Sequence, residues 1–334
     1  MLRLSQLINF TFFLFLIGVS ISACSQAGNN ENIKIVASPD IEVMPDSRKQ
    51  AQSISIKENP SPINKKSVPM NDNYQEILGL KVGWTKNLKI DDVAYDIYIP
   101  SGYKLTAALP CVLVLPGWNF PRTSWVKNSN LPSYADRYGY ILILPEMGKT
   151  LYESQYYRET SLRWNKVPGG QFIQTRLIPE IARRHNLLKP GGYNMLLGLS
   201  TGGRGVALIS LENPDIFIAG ASLSGDFSQE NMKGDRLMKS VYGDYGKFPQ
   251  RWLGRDNPQR RVNEWKMPLF LSHGLEDKVV PESQSRLFYQ RLTARFGSTP
   301  LIQYQPVVGA DHNYQYWSSQ LPYVFQFFNG IINP

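Results

Sequence analysis

Short continuous runs of apolar residues recur along the chain between residues 111 and 271. Continuous runs, unlike alternating ones, are typical of parallel strands that helices cover on both faces. The runs are Cys111 to Leu115, Tyr140 to Leu144, Met195 to Leu199, Ile216 to Leu223 and Leu269 to Leu271. Upstream of them, a turn at Asp91-Asp92 is followed by period-two alternation as far as Ile99, which predicts an antiparallel hairpin at a sheet edge.

Segments with helical spacing separate these runs. Apolar residues lie four apart in two of them: Phe288, Leu292 and Phe296, and Ile173, Leu177 and Ile181. The first segment is expected to end at Gly297, a glycine C-cap, and Pro179 is expected to break or restart the second. Strands and helices therefore alternate, which predicts the α/β class, with a mostly parallel doubly wound sheet and antiparallel N-terminal strands. The Gly-rich, charged stretch from Gly225 to Arg261 has weak periodicity and predicts a cap or an irregular excursion near the site.

The first residues have the pattern of an export signal. Arg3 precedes an apolar run from Leu7 to Ile21, which is shorter than a membrane-spanning helix requires and ends in small residues. The ending Ile21-Ser22-Ala23-Cys24 resembles the lipobox of bacterial lipoproteins, and this implies cleavage before Cys24 and attachment of lipid to its sulfur and amino group. We therefore expect a signal peptide over residues 1–23 and a lipid anchor in the bacterial cell envelope, on the periplasmic or outer membrane face. Ordinary signal cleavage is the alternative.

A polar segment follows Cys24. From Ser25 to Asn73 it contains no aromatic residue and is dominated by Asn, Ser, Lys, Gln and Pro, so it cannot bury enough surface to fold alone. We predict that residues 24–73 form a disordered tether with a reach of ~40 Å. All seven tryptophans lie between Trp84 and Trp317, and we place one globular domain at residues 74–334.

Charge and cysteine usage limit the partners and the redox chemistry. The formal net charge is +9, but Lys and Arg are scattered, which favours a solvated basic surface over a binding patch. Attraction to anionic envelope polymers is the alternative. An exported location argues against nucleic acid as a partner. Because Cys24 and Cys111 are the only cysteines and Cys111 lies in a strand-like run, no disulfide framework is implied.

The strongest sign of chemistry is the pattern Gly-x-Ser-x-Gly around Ser200, between an apolar strand and an apolar helix. A strand-to-helix turn of small residues exposes the serine hydroxyl to a base and a substrate, so Ser200 is the candidate nucleophile. Serine needs a base, and the chain has three histidines. His185 lies at a predicted helix end and His273 before Gly274 in a predicted turn, whereas His312 lies in a loop before the C-terminal helix. His312 is therefore the candidate base.

The base needs an acid to orient it. Asp277 follows the penultimate strand at its carboxyl end, the edge at which open α/β sheets bind ligands, and is the candidate acid. The alternatives are Glu276, Asp226 and Asp311. Ser, Asp and His in this order, each after an apolar strand, are typical of one triad arrangement on α/β sheets.

Two backbone amides are candidates for binding the developing oxyanion: that of Thr201, at the helix start, and that of Trp118, in the turn after the first parallel strand. Four aromatic residues near the expected cleft are candidates for an apolar or aromatic acyl pocket: Trp118, Trp164, Phe227 and Tyr314.

The segment from Tyr95 to Phe328 resembles the α/β-hydrolase superfamily. The motifs that carry the resemblance are Leu-Pro-Gly-Trp at 115–118, Gly-Leu-Ser-Thr-Gly-Gly at 198–203, His-Gly-Leu-Glu-Asp-Lys-Val-Val-Pro at 273–281 and Ala-Asp-His at 310–312. Within it, the chain is similar to the esterase D and feruloyl-esterase-like group and to the dienelactone hydrolases. The resemblance implies an eight-stranded sheet, a triad of Ser200, Asp277 and His312, and a covalent acyl-enzyme formed without a cofactor.

We therefore predict a serine hydrolase that cleaves small-molecule or polymer-linked carboxylic esters. A peptidase of the same fold and an inactive, envelope-anchored binding protein are the alternatives. Three scattered histidines and a strand cysteine do not suggest a metal site, and no phosphate-binding loop is present in the sequence. Thr201 and Trp118 depart from the residues common in the family, which leaves the substrate open.

Overall fold

The computed structural model describes residues 80–101 and 110–334. The predicted signal peptide, the lipidated Cys24 and the tether lie outside these residues, so the domain bounds 1–23, 24–73 and 74–334 stay predictions. Within the described residues, no helix is long and apolar enough to cross a membrane.

The described residues form an eight-stranded sheet in the order β1-β2-β4-β3-β5-β6-β7-β8. The hairpin of β1 and β2 is antiparallel, β2 pairs antiparallel with β4, and all later pairs are parallel. This confirms the predicted sheet with its antiparallel start. The strands are β1 Gly83–Ile90, β2 Val93–Ile99, β3 Cys111–Leu115, β4 Ile141–Pro145, β5 Asn194–Leu199, β6 Ala219–Leu223, β7 Leu269–Gly274 and β8 Ile302–Val307.

Two strand bounds differ from the prediction by more than one residue. The run from Ile216 enters the strand only at Ala219, and β7 continues past Leu271 to Gly274. The edge strand β8 carries no continuous apolar run, because only one of its neighbours is a strand and several of its residues are partly or fully exposed.

Helices cover both faces of the sheet. They are α1 Ser124–Asn128, α2 Leu131–Tyr138, α3 Gly169–Phe172, α4 Ile178–His185, α5 Thr201–Glu212, α6 Arg236–Tyr242, α7 Pro249–Leu253, α8 Ser283–Phe296 and α9 Tyr314–Ile332. Successive side chains of a strand point to opposite faces of the sheet, so alternate residues of β3 pack into two separate apolar cores. Leu113 joins the core under α3, α4, α5 and α8, while Val112 joins the core under α1, α2 and α9.

Two helix predictions are confirmed in part. Helix α8 ends at Gly297, whose φ of +65° lies in the region that glycine tolerates best. The predicted break near Pro179 is a π-helical turn, Ile173–Leu177, after which α4 begins with the proline in its first turn, where no amide hydrogen is needed.

The stretch from Gly225 to Arg261 is an irregular excursion, as predicted. It contains α6, α7 and the 3₁₀ turns Gln229–Met232 and Pro258–Arg260. Its buried residues Met238, Tyr242 and Trp252 form a third apolar cluster, against which Trp118 of the turn after β3 packs. The excursion therefore touches the loop that follows the first parallel strand.

Candidate active site

Ser200 forms the turn between β5 and α5. Its φ of +54° and ψ of −126° are unfavourable for a residue with a side chain, and this strain is typical of functional turns. The turn is held by the Ser200 amide, which donates to the carbonyl of Leu223 at 2.8 Å. The serine is therefore fixed at the carboxyl end of the central strands.

The flanking glycines are required by close backbone contacts. A Cβ atom on Gly198 would lie 2.1 Å from the carbonyl oxygen of Gly202, and one on Gly202 would lie 2.3 Å from that of Leu115. A Cβ atom on Gly117 would lie 3.2 Å from that of Ser200. The turn after β3 therefore lies directly against the serine.

His312, in the loop between β8 and α9, contacts both other predicted triad residues. Its Nε2 lies 2.9 Å from the Oγ of Ser200, and its Nδ1 lies 2.7 Å from Oδ2 of Asp277. The ring packs edge-on against Trp317, with centroids 4.9 Å apart and planes at 86°. The structure thus brings Ser200, His312 and Asp277 together in one hydrogen-bonded row.

The carboxylate of Asp277 is fully enclosed, with a side-chain exposure of 0%. Its Oδ1 accepts hydrogen bonds from the amides of Val279 and Val280, each at 2.9 Å. Burial raises the pKa of this carboxyl, but contacts with His273 and His312 outweigh burial and hold the pKa well below its usual range. Asp277 therefore stays ionised beside His312 and can orient and stabilise a protonated imidazole.

The loops that carry the acid and the base are bonded to each other. The amide of Leu275 donates to the carbonyl of Val307, and that of Glu276 to the carbonyl of Ala310, both at 2.9 Å. Gly274 allows this approach, because a Cβ atom there would lie 2.4 Å from the carbonyl oxygen of Ala310. Backbone hydrogen bonds therefore fix the loop of Asp277 relative to the loop of His312.

The two predicted oxyanion amides adjoin the serine. Thr201 is the first residue of α5, where amides have no acceptor within the helix and the helix dipole favours negative charge. In the turn after β3, the amide of Asn119 donates to Gly148 and that of Phe120 to Gly117. No described backbone carbonyl accepts from the amide of Trp118, which therefore stays a candidate donor to an oxyanion.

The predicted pocket aromatics lie in different surroundings. Trp118 is half-buried beside the third cluster, Trp164 packs on Phe172 with centroids 5.3 Å apart, and Tyr314 lies edge-on to Trp317 at 5.1 Å. Phe227 differs from these, because it is 0% exposed and stacks on a core phenylalanine of α8 at 4.4 Å. It offers no surface to a substrate, and we assign it to the core and not to the pocket.

The alternative acids have other partners. Asp226 is buried and pairs with Arg204 at 3.1 Å. Asp311 accepts a hydrogen bond from the backbone amide of His312 at 2.7 Å. Glu276 is exposed. Each therefore contributes to structure or surface, and none touches the imidazole ring of His312.

The sequence interpretation missed the position of His273. Its predicted turn role is incomplete, since its Nε2 lies 3.3 Å from Oδ2 of Asp277 and the ring is 0% exposed. The only sequence signal is that His273 and Asp277 are four residues apart around a glycine. The third histidine, His185, is buried and bonds to the hydroxyl of Tyr95 at 2.9 Å. Among the described residues, no group of three or more His, Cys, Asp or Glu side chains could hold a metal ion.

Comparison with known proteins identifies a family for this chain. The family model named Esterase, described as "Putative esterase", matches residues 90–328. A relative, Feruloyl esterase B from Neurospora crassa, is 28% identical over 129 residues, which cover 38% of this chain and 42% of the relative. The match thus spans less than half the length of that relative.

Solved structures share the fold at low sequence identity. The S-formylglutathione hydrolase of Agrobacterium tumefaciens has a TM-score of 0.57 and 15% identity, covering 71% of this chain and 88% of its own. MPT51 of Mycobacterium tuberculosis has a TM-score of 0.60 and 16% identity, covering 75% and 100%. The fluorophosphonate-binding serine hydrolase FphF of Staphylococcus aureus has a TM-score of 0.54 and 17% identity, covering 70% and 91%. At these identities the similarity shows the fold alone, which is that of the α/β-hydrolases.

Proposed function

The chain belongs to the Esterase family, and from this premise we propose that it is a serine hydrolase that cleaves carboxylic esters through Ser200, His312 and Asp277. The observation that carries the proposal is the unbroken row of contacts from the serine to the acid, at 2.9 Å and 2.7 Å. Both lie in the range for nucleophile, base and orienting acid.

Acylation follows from these positions. As the Oγ of Ser200 attacks the ester carbonyl carbon, its proton passes to Nε2 of His312, and the carbonyl electron pair moves to the oxygen. The amides of Thr201 and Trp118 bind this oxyanion. When the intermediate collapses, the bond to the alcohol oxygen breaks, and that oxygen takes the proton from His312. The acyl group remains on Ser200.

In deacylation, water is the nucleophile and Ser200 is the leaving group. His312 removes a proton from water as the oxygen attacks the acyl carbon, and returns it to the Oγ of Ser200 as the acid leaves. Asp277 keeps the imidazole oriented and stabilises its charged form throughout, without accepting the proton. Its lowered pKa supports this role.

The substrate is proposed to be a small or polymer-linked ester with an apolar or aromatic acyl group. Trp118, Trp164 and Tyr314 are the aromatic residues that support this choice, because each is only partly buried. The similarity to Feruloyl esterase B makes feruloyl esters the first substrates to test.

The test uses the full chain in detergent. We expect p-nitrophenyl acetate and methyl ferulate to be hydrolysed, and a fluorophosphonate probe to label Ser200. Ser200→Ala, the matched control, should lose both turnover and labelling. Equal turnover by the wild type and Ser200→Ala would refute the proposal, and faster cleavage of the matched p-nitroanilide would favour a peptidase.

We also propose that the protein is exported and anchored in the cell envelope by lipid on Cys24. The lipobox-like ending Ile21-Ser22-Ala23-Cys24 supports this. Mass spectrometry of the mature N-terminal peptide should find a lipidated Cys24, and Cys24→Ser should move the protein from the membrane to the soluble fraction. An unmodified Cys24 in the mature protein would contradict the anchor.

A further inference from the structure

His273 closes β7 inside the fold, behind the candidate acid. Its ring is 0% exposed and touches three residues that follow it in the chain. The Nε2 atom lies 2.9 Å from the carbonyl oxygen of Val280 and 3.3 Å from Oδ2 of Asp277, and Nδ1 lies 2.7 Å from Oγ of Ser285. Both ring nitrogens are therefore used.

These contacts fix where the ring carries its proton. Nε2 faces two acceptors, the Val280 carbonyl and the Asp277 carboxylate, so a hydrogen on Nε2 satisfies both. Nδ1 faces the hydroxyl of Ser285, which can donate to it. The polar edge of a buried imidazole is thereby directed at the same carboxylate oxygen that binds His312.

The same contacts close the loop around the acid. The amide of Val280 donates to Oδ1 of Asp277 at 2.9 Å, while its carbonyl accepts from His273. Val280 is thus held from both sides, once by the acid and once by the histidine. The carboxylate cannot rotate without losing a donor, and the loop cannot shift without leaving a buried carbonyl unpaired.

We propose that His273 is a positioning residue for the candidate triad: its Nε2 hydrogen fixes the Asp277 loop and carboxylate, and through them the ring of His312. This inference rests on the proposed function. A role in the turn alone would use the contact with the Val280 carbonyl, but it would not need the contact with the Asp277 carboxylate. The close approach to the neighbouring loop is made by Gly274.

Two neutral substitutions separate the contacts. The amide of His273→Gln can reach the position of Nε2, and so keeps a donor for Val280 and Asp277. The shorter His273→Asn places its amide near Nδ1, and so keeps only the contact with Ser285. We expect kcat of His273→Asn to fall by about 10-fold to 10²-fold with little change in KM, because misplacing a catalytic group has effects of this size. His273→Gln should retain most of the wild-type kcat.

Fluorophosphonate titration of Ser200 counts the active sites, so that kcat can be expressed per folded site. The same measurement distinguishes a failure of the proposed function from a failure of the positioning role. A wild type that is neither labelled nor active would refute the proposed function. A labelled, active wild type with equal kcat in both variants, or with the lower kcat in His273→Gln, would refute the positioning role alone.

Two spectroscopic readouts do not depend on activity. In ¹⁵N-histidine spectra of the wild type, His273 should carry its proton on Nε2, and a neutral ring protonated on Nδ1 would overturn the inference. The low-field proton resonance of the contact between His312 and Asp277 should be retained in His273→Gln and shifted or broadened in His273→Asn. An unchanged resonance in His273→Asn would show that His273 does not position the acid.

Discussion

Two carboxylates follow neighbouring strands, and replacing each by its amide should have opposite effects. Asp277 follows β7 and contacts His312, whereas Asp226 follows β6 and pairs with Arg204. We expect Asp277→Asn to abolish most turnover in a folded protein, and Asp226→Asn to weaken the fold while kcat per folded site stays near wild type.

The loss in Asp277→Asn follows from its donors. The asparagine oxygen will take the position of Oδ1, because the amides of Val279 and Val280 need an acceptor there. Its NH₂ group then faces Nδ1 of His312, which must become an acceptor and move its proton to Nε2. A ring protonated on Nε2 cannot accept the proton of Ser200, and a tautomer error of this kind lowers kcat by ~10⁴-fold.

Asp226→Asn should lose stability because it removes the negative charge that compensates Arg204. Arg204 and Asp226 have side-chain exposures of 0% and 3%, so the guanidinium would remain buried with its partner neutralised. Removing one member of such a pair costs about 3–5 kcal/mol, and we expect the lower value because the asparagine keeps an acceptor oxygen. Domains have about 5–15 kcal/mol of stability, so the variant should fold at 25 °C.

Urea unfolding and p-nitrophenyl acetate kinetics test both variants. The folded fraction is taken from the urea curve for Asp277→Asn, whose serine lacks an active base, and from fluorophosphonate titration of Ser200 for Asp226→Asn. A kcat for Asp277→Asn within tenfold of the wild type would refute the assignment of the acid. A collapse of kcat per titrated site in Asp226→Asn, with an unchanged urea midpoint, would assign the acid to Asp226 instead.

Three further predictions concern the turn, acid stability and the core. Gly202→Ala should destabilise the fold by about 1–3 kcal/mol or more and lower kcat, since its Cβ would lie 2.3 Å from the Leu115 oxygen, whereas Gly234→Ala, with nothing within 4 Å, should be neutral in urea melts. Because the pKa of Asp277 is lowered by folding, its contribution to stability is present above its unfolded pKa of about 3.9 and is lost as pH falls below that value. Unfolding free energies between pH 5 and pH 2 should therefore fall more steeply in the wild type than in Asp277→Asn, and parallel slopes would contradict this. Burial raises the pKa of the Cys111 thiol to about 12, so in Cys24→Ser, which removes the other cysteine, Ellman's reagent should modify Cys111 only in urea. Fast labelling of this native variant would exclude a buried position.

Most strands, and the loop positions of Ser200, Asp277 and His312, could be predicted from the sequence because both depend on local signals. Continuous apolar runs gave the positions of β3, β4 and β5 to within one residue, since helices cover both faces of these strands. Parallel pairing places residues that follow strand ends at one edge of the sheet, as it does Ser200 after β5 and Asp277 after β7, two strands away. His312 then connects them. Strand β8 lacks this signal because it lies at an edge.

Positions that depend on long-range packing could not be predicted. Phe227 looks like a cleft aromatic in the sequence, but it stacks on a residue of α8 that lies far along the chain. Arg204 lies between two glycines of α5, where a charge would ordinarily mark an exposed face, yet it is fully buried. Its other partners are distant in the sequence: the backbone carbonyls of Leu151 and Asp256 and the side chains of Gln229 and Tyr242.

Asp226 faces an arginine and Asp277 faces a histidine, and this difference decides which carboxylate can take part in catalysis. Arginine does not release its proton at any working pH, so a carboxylate paired with Arg204 can only hold structure together. Histidine gains and loses a proton near neutral pH, so a carboxylate paired with His312 can stabilise a charge that appears and disappears within one turnover. Exchanging the two partners would therefore exchange the two roles, although both acids end neighbouring strands. The choice of Asp277 thus rests on the chemistry of His312 and not on the position of the carboxylate alone.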